Sequence, residues 1–526
     1  MSEIALSESY FQQQIERIVM SIPKPTTAEI CILANELGYT AVVNAAEEYT
    51  AFIAGMLGVY DAIEAIPEPA VLHGRATVRY SVPLENDDPH NAWQLRTSIE
   101  GAESGPLRGV RLAVKDSIMV AGLPMTNGTA VLGDYFPSGD ATVVTRALAA
   151  GATIVGKTTN EYFCMSGGSH TAHSGPVHNP HRLGFSSGGS SSGSAVVLVT
   201  GEADMALGAD QAGSIRMPAS WSGVVGLKPT YGLVPYTGIA PLDGFIDHAG
   251  PMTRTVTDNA QFLSILAGPD NIDPRQGGIR VTDYLAEINE GVRGLRIGIL
   301  KEGFGSPASE SAVDECVRSM AESLRDFGAV VEDISVPLHL LGAPLWTAIA
   351  IEGMAETVLR NQGFAFGRSD YYPVDMMRHL FEHKGAVAER PANVMLFTLA
   401  GRYVDSHQGR INYASAVNRS RTLRAAYDDA LTRYDVLITP TTPQTARPLP
   451  RSDAGPSETV QAAIEMSCNT CPFNITHHPA LSVPCGKVDG LPVGLQLIAK
   501  HFGEAMLYRV GRAIELKTAG ELQPKL

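Results

Sequence analysis

Between Ser187 and Tyr231 two Gly/Ser clusters flank short apolar runs, in SGGSSSGSAVVLVTGEADMALGADQAGSIRMPASWSGVVGLKPTY. No other stretch narrows the folds and chemistries open to this chain so far. Glycine lets backbone N–H groups turn inward and approach a ligand closely. Serine supplies a nucleophile or a proton relay. Ser190, Ser191, Ser192 and Ser194 fall in GGSSSGSA, and Ser214 in GADQAGSIRMP. A loop built from both residue types suits a site where a carbonyl is held and attacked. A Gly/Ser linker would be flexible and solvated. Here SAVVLV and MALGAD are apolar and demand burial, which argues against a linker.

The 526 residues suffice for a large core and more than one structural unit. The 44% hydrophobic and 18% charged residues argue against global disorder. A net charge of −15 argues against nucleic acid or an anionic membrane as a main partner. The N-terminus, MSEIALSESYFQQQIERIVM, is acidic and has no signal-peptide core. No run approaches the ~18 unbroken apolar residues of a membrane span. The expected compartment is therefore the cytoplasm. Six cysteines in a chain this long do not make a disulfide framework. Cys468 and Cys471 form a CxxC, but no second CxxC or His pair stands nearby at ligand spacing. They read as two small buried residues rather than a redox pair or half a zinc site. His477 and His478, in THHP, read as structural or surface residues.

Periodicity divides the chain. Phe11, Ile15, Ile18 and Val19 recur at helical spacing, and Thr26 or Thr27 followed by Glu29 resembles a helix start. Residues 1–70 read as a small helical unit. Residues 71–105, rich in Pro, Asn and Asp, read as a connecting segment. From 106 strands alternate with helices: 110–114, 152–157, 295–300, 329–336, 435–440, 480–486 and 491–500 read as strands. Residues 140–151 and 309–327 read as helices. The alternation argues for an α/β layered core around a largely buried sheet. Residues 340–432 lack strand runs and read as a helical insertion between core segments 106–339 and 433–526.

A serine needs a base. No histidine sits in a context that marks it as one, and GGSSS at 188–192 lacks the last glycine of the GxSxG elbow. A buried lysine is the other solution, because burial disfavours its charged form. Lys115 ends the apolar run VRLAV. Either its amine points inward as a base, or it pairs with Asp116.

The motifs AVKDS (113–117), GGSSSGSA (188–195), GADQAGSIRMPA (208–219) and GVVGLKPTYG (223–232) resemble the amidase signature family of Ser–cis-Ser–Lys hydrolases. The spacing fits too: Ser190 lies 75 residues after Lys115, and Ser214 lies 24 after Ser190. MTNGTA, SGPVHNP, LVPYTG, DHAGPMTRTV and CPFNITHHPALSVPCG extend the likeness over nearly the whole chain. The helical N-terminus and the DQ of GADQAGSIR resemble the nitrile-hydratase-associated subgroup. The resemblance implies a mixed central sheet flanked by helices, with residues 1–70 serving dimerisation. It implies a Ser214 nucleophile, a Ser190 relay in a cis peptide, and a neutral Lys115 base. The N–H groups of Gln211, Ala212, Gly213 and Ser214 would form the oxyanion hole. Ser166, Gly167 and Gly168 would face the nucleophile, with Ser191 beside the relay. No metal or organic cofactor is implied, and the expected partners are a small amide or carbamate substrate and a second copy of the chain.

Three positions, in two motifs, depart from the family pattern. Ser192 stands where GGSSGGS has glycine, and Gln211 and Ala212 stand where DTGGS has Thr and Gly. Ser192 adds a Cβ where the backbone is tight, and Ala212 lacks glycine's freedom at positive φ. Gln211 either hydrogen-bonds the substrate or buttresses the loop. Arg216 is expected to support the loop through backbone contacts. Trp346, Ile349, Ile351 and Met354 either shape the acyl pocket or belong to the core. The leading function is amide hydrolysis. Carbamate, anilide or ester cleavage on the same triad, and a role within an amidotransferase complex, are the alternatives; a non-catalytic binding protein is disfavoured by the intact triad.

Overall fold

The computed structural model of the chain describes residues 22–64, 66–76, 78–360, 369, 371–383 and 390–518. The expected helix YFQQQIERIVM lies outside these residues. The chain forms two compact units that meet in sequence at Val71 and Leu72. The smaller is helical, with Thr27–Glu36, Thr40–Asn44, Ala46–Met56 and Gly58–Glu64. Thr26 Oγ1 accepts the Glu29 N–H at 3.2 Å, and Glu29 Oε2 accepts the Thr26 N–H at 2.7 Å. Such a reciprocal cap stabilises a helix start by about 1 kcal/mol. Ile30 and Ala34 are buried within this unit, while Ile32, Leu33, Phe52, Met56 and Ile63 stay exposed.

The larger unit is built on a mixed sheet. Its strands, with a separate short hairpin, are numbered in chain order: β1 Tyr80–Ser81, β2 Trp93–Ile99, β3 Arg111–Lys115, β4 Thr153–Thr158, β5 His178–Asn179, β6 Arg182–Ser186 and β7 Met205–Asp210. There follow β8 Val225–Lys228, β9 His248–Thr253, β10 Arg296–Leu300, β11 Val330–Ile334, β12 Val436–Pro440, β13 Ala480–Val488 and β14 Leu491–Ile498. Among the described residues twelve strands join in the order β1-β2-β4-β3-β7-β9-β8-β13-β14-β12-β10-β11, and β5-β6 is the hairpin. β3 runs parallel to β4 and β7, and β10 runs parallel to β11 and β12. The other neighbours are antiparallel.

All seven strand runs read from periodicity fall on strands of this sheet. The connecting segment 71–105 does not hold as such: it adds β1 and β2 to the sheet. Trp93 and Leu95 are buried at alternate positions of β2, as a strand requires. The Pro, Asn and Asp residues just before Trp93 hide that short pattern. Residues 340–432 carry Gly342–Met354, Ala355–Arg360, Val374–Glu382, Ala392–Gln408 and most of Ile411–Arg433, all helical. Pro337–Val358 is long and apolar enough to cross a membrane by composition, yet half of its most apolar window is buried inside the protein.

The sheet positions the chemistry. β3 and β7 are parallel neighbours, so their C-terminal residues, Lys115 and Asp210, end at one edge. Ligands of open α/β sheets bind beyond such carboxyl ends.

Candidate active site

The last four residues of β3 are buried, ending in Lys115. Successive side chains leave a strand on opposite faces, so Lys115 and Asp116 find different partners. Asp116 Oδ1 takes Lys157 Nζ at 2.9 Å, and its Oδ2 accepts the N–H groups of Thr126 and Asn127. Lys115 Nζ instead donates to Ser190 Oγ at 2.7 Å and to the Ala209 carbonyl at 3.3 Å. Of the two readings of Lys115, the geometry supports the inward amine. Burying an ammonium costs several kcal/mol even after relaxation. Burial accordingly pulls the Lys115 pKa below the usual lysine value, against an upward pull from Cys164, Asp210 and Glu161.

Ser190 follows a cis Gly189–Ser190 peptide. The next residue ties the two Gly/Ser clusters together. The Ser191 N–H donates to the Ser214 carbonyl at 3.1 Å, and Ser191 Oγ donates to the Ala209 carbonyl at 3.3 Å. Ser192 is the first residue of the buried helix Ser192–Val199. The tight position is the next one, where a Cβ on Gly193 would lie 2.0 Å from the Ala92 carbonyl oxygen. Ser192 therefore does not collide with its surroundings as a serine at 193 would.

A similar shift explains Ala212. The left-handed residue of the turn after β7 is Gly213, at φ +136°. Its missing Cβ would fall 2.3 Å from Thr470 Oγ1. Ala212 needs no positive φ, and its carbonyl accepts from Thr470 Oγ1. The Gln211 carbonyl accepts from Trp346 Nε1 at 2.7 Å, and Gln211 Nε2 donates to Tyr236 Oη at 2.7 Å. Gln211 thus buttresses the loop with its nitrogen, while its Oε1 is buried with no protein partner among the described residues.

Ser214, Gln211 and Ala212 line a cleft with Cys164, Met165, Ser166 and Gly167 opposite. Trp346, Met354 and Phe397 of the helical segment close another side. Ile349 is fully buried core, and Ile351 packs half-buried against it. Gly168 and Ser191, expected in the pocket, stand behind it. Gly168 is pressed on Ala462, whose carbonyl oxygen lies 2.3 Å from where its Cβ would be. Ser191 spends its hydroxyl on Ala209. Met217, Leu242, Phe397, Ala463, Ile464 and Ser467 also line the cleft. They come from four separate segments, so no local sequence signal could have gathered them.

Residues 81–508 match the family described as Amidase. The chain belongs to the amidase signature family. It is 42% identical over 440 residues to an enantioselective amidase of Rhodococcus rhodochrous, spanning 82% of this chain and 84% of that protein. It is 36% identical over 450 residues to a glutamyl-tRNA(Gln) amidotransferase subunit of Exiguobacterium sibiricum, spanning 84% and 90%. Its fold is similar to the native peptide amidase of Stenotrophomonas maltophilia, with a TM-score of 0.66 at 32% identity, covering 80% of this chain and 85% of that one. As a family member this amidase is an amide-cleaving enzyme.

The amidase holds its Ser214 turn from below through Arg216. Backbone contacts are expected of Arg216, and among the described residues its guanidinium makes one, to the Thr470 carbonyl at 2.9 Å. The rest are side-chain bonds, because Arg216 is wholly buried and its five donors need acceptors. Arg216 reaches Asp210 at 2.9 and 3.0 Å, Asn474 Oδ1 at 2.8 Å and Gln496 Oε1 at 2.7 Å. Burial raises the Asp210 pKa, but Arg216 and Asn474 outweigh it and hold the carboxyl at about 2. Arg216→Met leaves that carboxylate buried without its cationic partner, and is expected to cost about 3–5 kcal/mol of stability in denaturant unfolding. A loss below about 1 kcal/mol would show that Arg216 bears little of the turn. Cys468 and Cys471 of the amidase are free thiols, and burial raises the pKa of both.

Proposed function

We propose that this amidase hydrolyses small amides of apolar carboxylic acids, as a stand-alone enzyme, through an acyl-enzyme on Ser214. The observation that carries the reading is the 2.7 Å contact of a buried Lys115 amine with Ser190, whose chain neighbour is bonded to Ser214. Neutral Lys115 takes the Ser190 proton while Ser190 takes that of Ser214. Ser214 Oγ then attacks the amide carbon. The N–H groups of Gln211, Ala212, Gly213 and Ser214 stabilise the oxyanion; one such donor is typically worth about 3–4 kcal/mol. The proton returns through Ser190 to the nitrogen as the C–N bond breaks. Ammonia or an amine leaves, and water hydrolyses the acyl-enzyme. Gln211 Oε1, without a protein partner among the described residues, accepts from the substrate's amide N–H.

The cleft lining supports the acyl preference. Met165, Met217, Leu242, Trp346, Met354 and Phe397 are apolar, and among the described residues no charged side chain lines it. Glutamine, the ammonia donor suggested by the amidotransferase likeness, would bring an ammonium and a carboxylate with no counter-charge. An unpaired buried charge costs more than about 3 kcal/mol. A panel of a primary aliphatic amide, benzamide, an anilide, a p-nitrophenyl ester, an aryl carbamate and glutamine reads this directly. Primary amides with apolar acyl groups are expected to exceed glutamine by at least about 10²-fold in kcat/KM. Glutamine as the best substrate, with ammonia release raised by a co-purifying protein, would favour the amidotransferase reading instead.

A further inference from the structure

Asp428, His478 and His501 converge where the proposed mechanism has no use for them. Asp428 lies on the helix Ile411–Arg433, His478 just before β13, and His501 just after β14. Asp428 Oδ1 is 3.1 Å from His478 Nε2 and 3.7 Å from His501 Nδ1. The two rings lie 4.2 Å apart. One ligand atom from each residue falls within 4.8 Å of the other two.

The bonds behind the rings assign the nitrogens. His501 Nε2 is 3.1 Å from the Thr476 carbonyl. A carbonyl only accepts, so this nitrogen carries the hydrogen, and in the neutral ring Nδ1 is a lone pair facing a carboxylate oxygen. His478 Nδ1 is 3.1 Å from Thr476 Oγ1, whose own hydrogen goes to the Pro472 carbonyl at 3.0 Å. Thr476 Oγ1 then accepts from His478 Nδ1, and Nε2 becomes the second lone pair. Two neutral imidazole lone pairs and a carboxylate repel one another unless a proton or a metal cation lies between them. Metal-ligating histidines hold their second ring N–H in this way, on a carbonyl or other acceptor. Metal–ligand bonds of about 2.0–2.1 Å in a tetrahedron set neighbouring ligand atoms roughly 3.4 Å apart. The separations of 3.1 and 3.7 Å bracket that value. Arg424 Nε lies 3.9 Å from the other oxygen, Oδ2, and leaves Oδ1 to face the rings.

We propose that Asp428, His478 and His501 bind one divalent cation of the zinc type. Two imidazoles and one carboxylate suit a borderline metal, and the half-exposed Asp428 leaves a fourth position for water. None of the three lines the Ser214 cleft, so the ion is structural. It ties the helix Ile411–Arg433 to the segment after Pro472–Thr476, the short helix whose Asn474 holds Asp210 and Arg216.

The test uses the untagged full-length protein, stripped with a chelator and titrated with Zn²⁺ or Co²⁺. One equivalent of Zn²⁺ is expected to bind, and Co²⁺ in its place should give a visible d–d band. His501→Gln and Asp428→Asn should each weaken Zn²⁺ binding at least about 10-fold, since even outer partners of a ligand set are worth that much. Both positions are partly exposed, and circular dichroism reports whether each variant keeps its fold. No stoichiometric Zn²⁺ in the wild type, or equal affinity in folded variants, overturns the proposal.

Discussion

Ser214→Ala is expected to lower kcat for a primary amide by roughly 10⁴–10⁶-fold while leaving the fold intact, the scale on which triad enzymes lose turnover without their nucleophile. The change removes one oxygen from the cleft surface. It leaves the loop's supports untouched, because these bond backbone and neighbours: Trp346 to the Gln211 carbonyl, Thr470 to the Ala212 carbonyl, and Ser191 to the Ser214 carbonyl. Substrate binding should therefore survive the loss of chemistry, so KM or an inhibitor constant stays within a few-fold. Steady-state kinetics with circular dichroism checks both halves. A folded variant within about 10-fold of wild-type kcat would mean that another group attacks the amide.

Lys115→Met carries the second large effect. The amine is fully buried and its hydrogen-bond partners are Ser190 and Ala209. Methionine keeps the length and apolar stem but cannot take a proton. A general base contributes roughly 10²–10⁴-fold, and kcat/KM should fall by that amount. The pH profile gives a sharper reading. Burial lowers the Lys115 pKa, so the neutral, active amine persists at pH values where an ordinary lysine is charged. As pH falls through the lowered pKa the amine protonates, and kcat/KM drops along an acid limb. That limb should vanish from the residual activity of Lys115→Met. Its survival there would assign the titration to another group.

The outer frame of this molecule is legible in its sequence for a plain reason. β3, β4, β10, β12, β13 and β14 are β-branched, leucine-rich runs bounded by turn residues, as buried strands must be. β8 and β9 escape that logic, because VGLK is four residues long with a glycine second, and HAGPMT has Gly and Pro but no β-branched residue before its final Thr. Close approach demands those glycines: a Cβ on Gly250 would lie 2.2 Å from the Leu227 carbonyl oxygen. Lys115 was open between two partners because the choice depends on which sheet face each side chain leaves by. The supports of the Ser214 turn were hidden for another reason. Arg216 finds Asn474 and Gln496 258 and 280 residues away, at distances no local pattern encodes. Asp428, His478 and His501 are equally scattered and show no ligand spacing. The Ser192 and Ala212 departures look disruptive in sequence, yet the steric demands fall one residue later, on Gly193 and Gly213.

In the proposed mechanism Ser214, driven by Lys115 through Ser190, forms the acyl-enzyme. Mass spectrometry of the intact protein after reaction with a fluorophosphonate identifies the attacking oxygen. One adduct per chain is expected, with fragment ions placing it on Ser214. Lys115→Met should slow labelling by roughly the same 10²–10⁴-fold as turnover. An adduct on any of Ser190, Ser191, Ser192 or Ser194, or labelling indifferent to Lys115, would mean that Ser214 is not the Lys115-driven nucleophile.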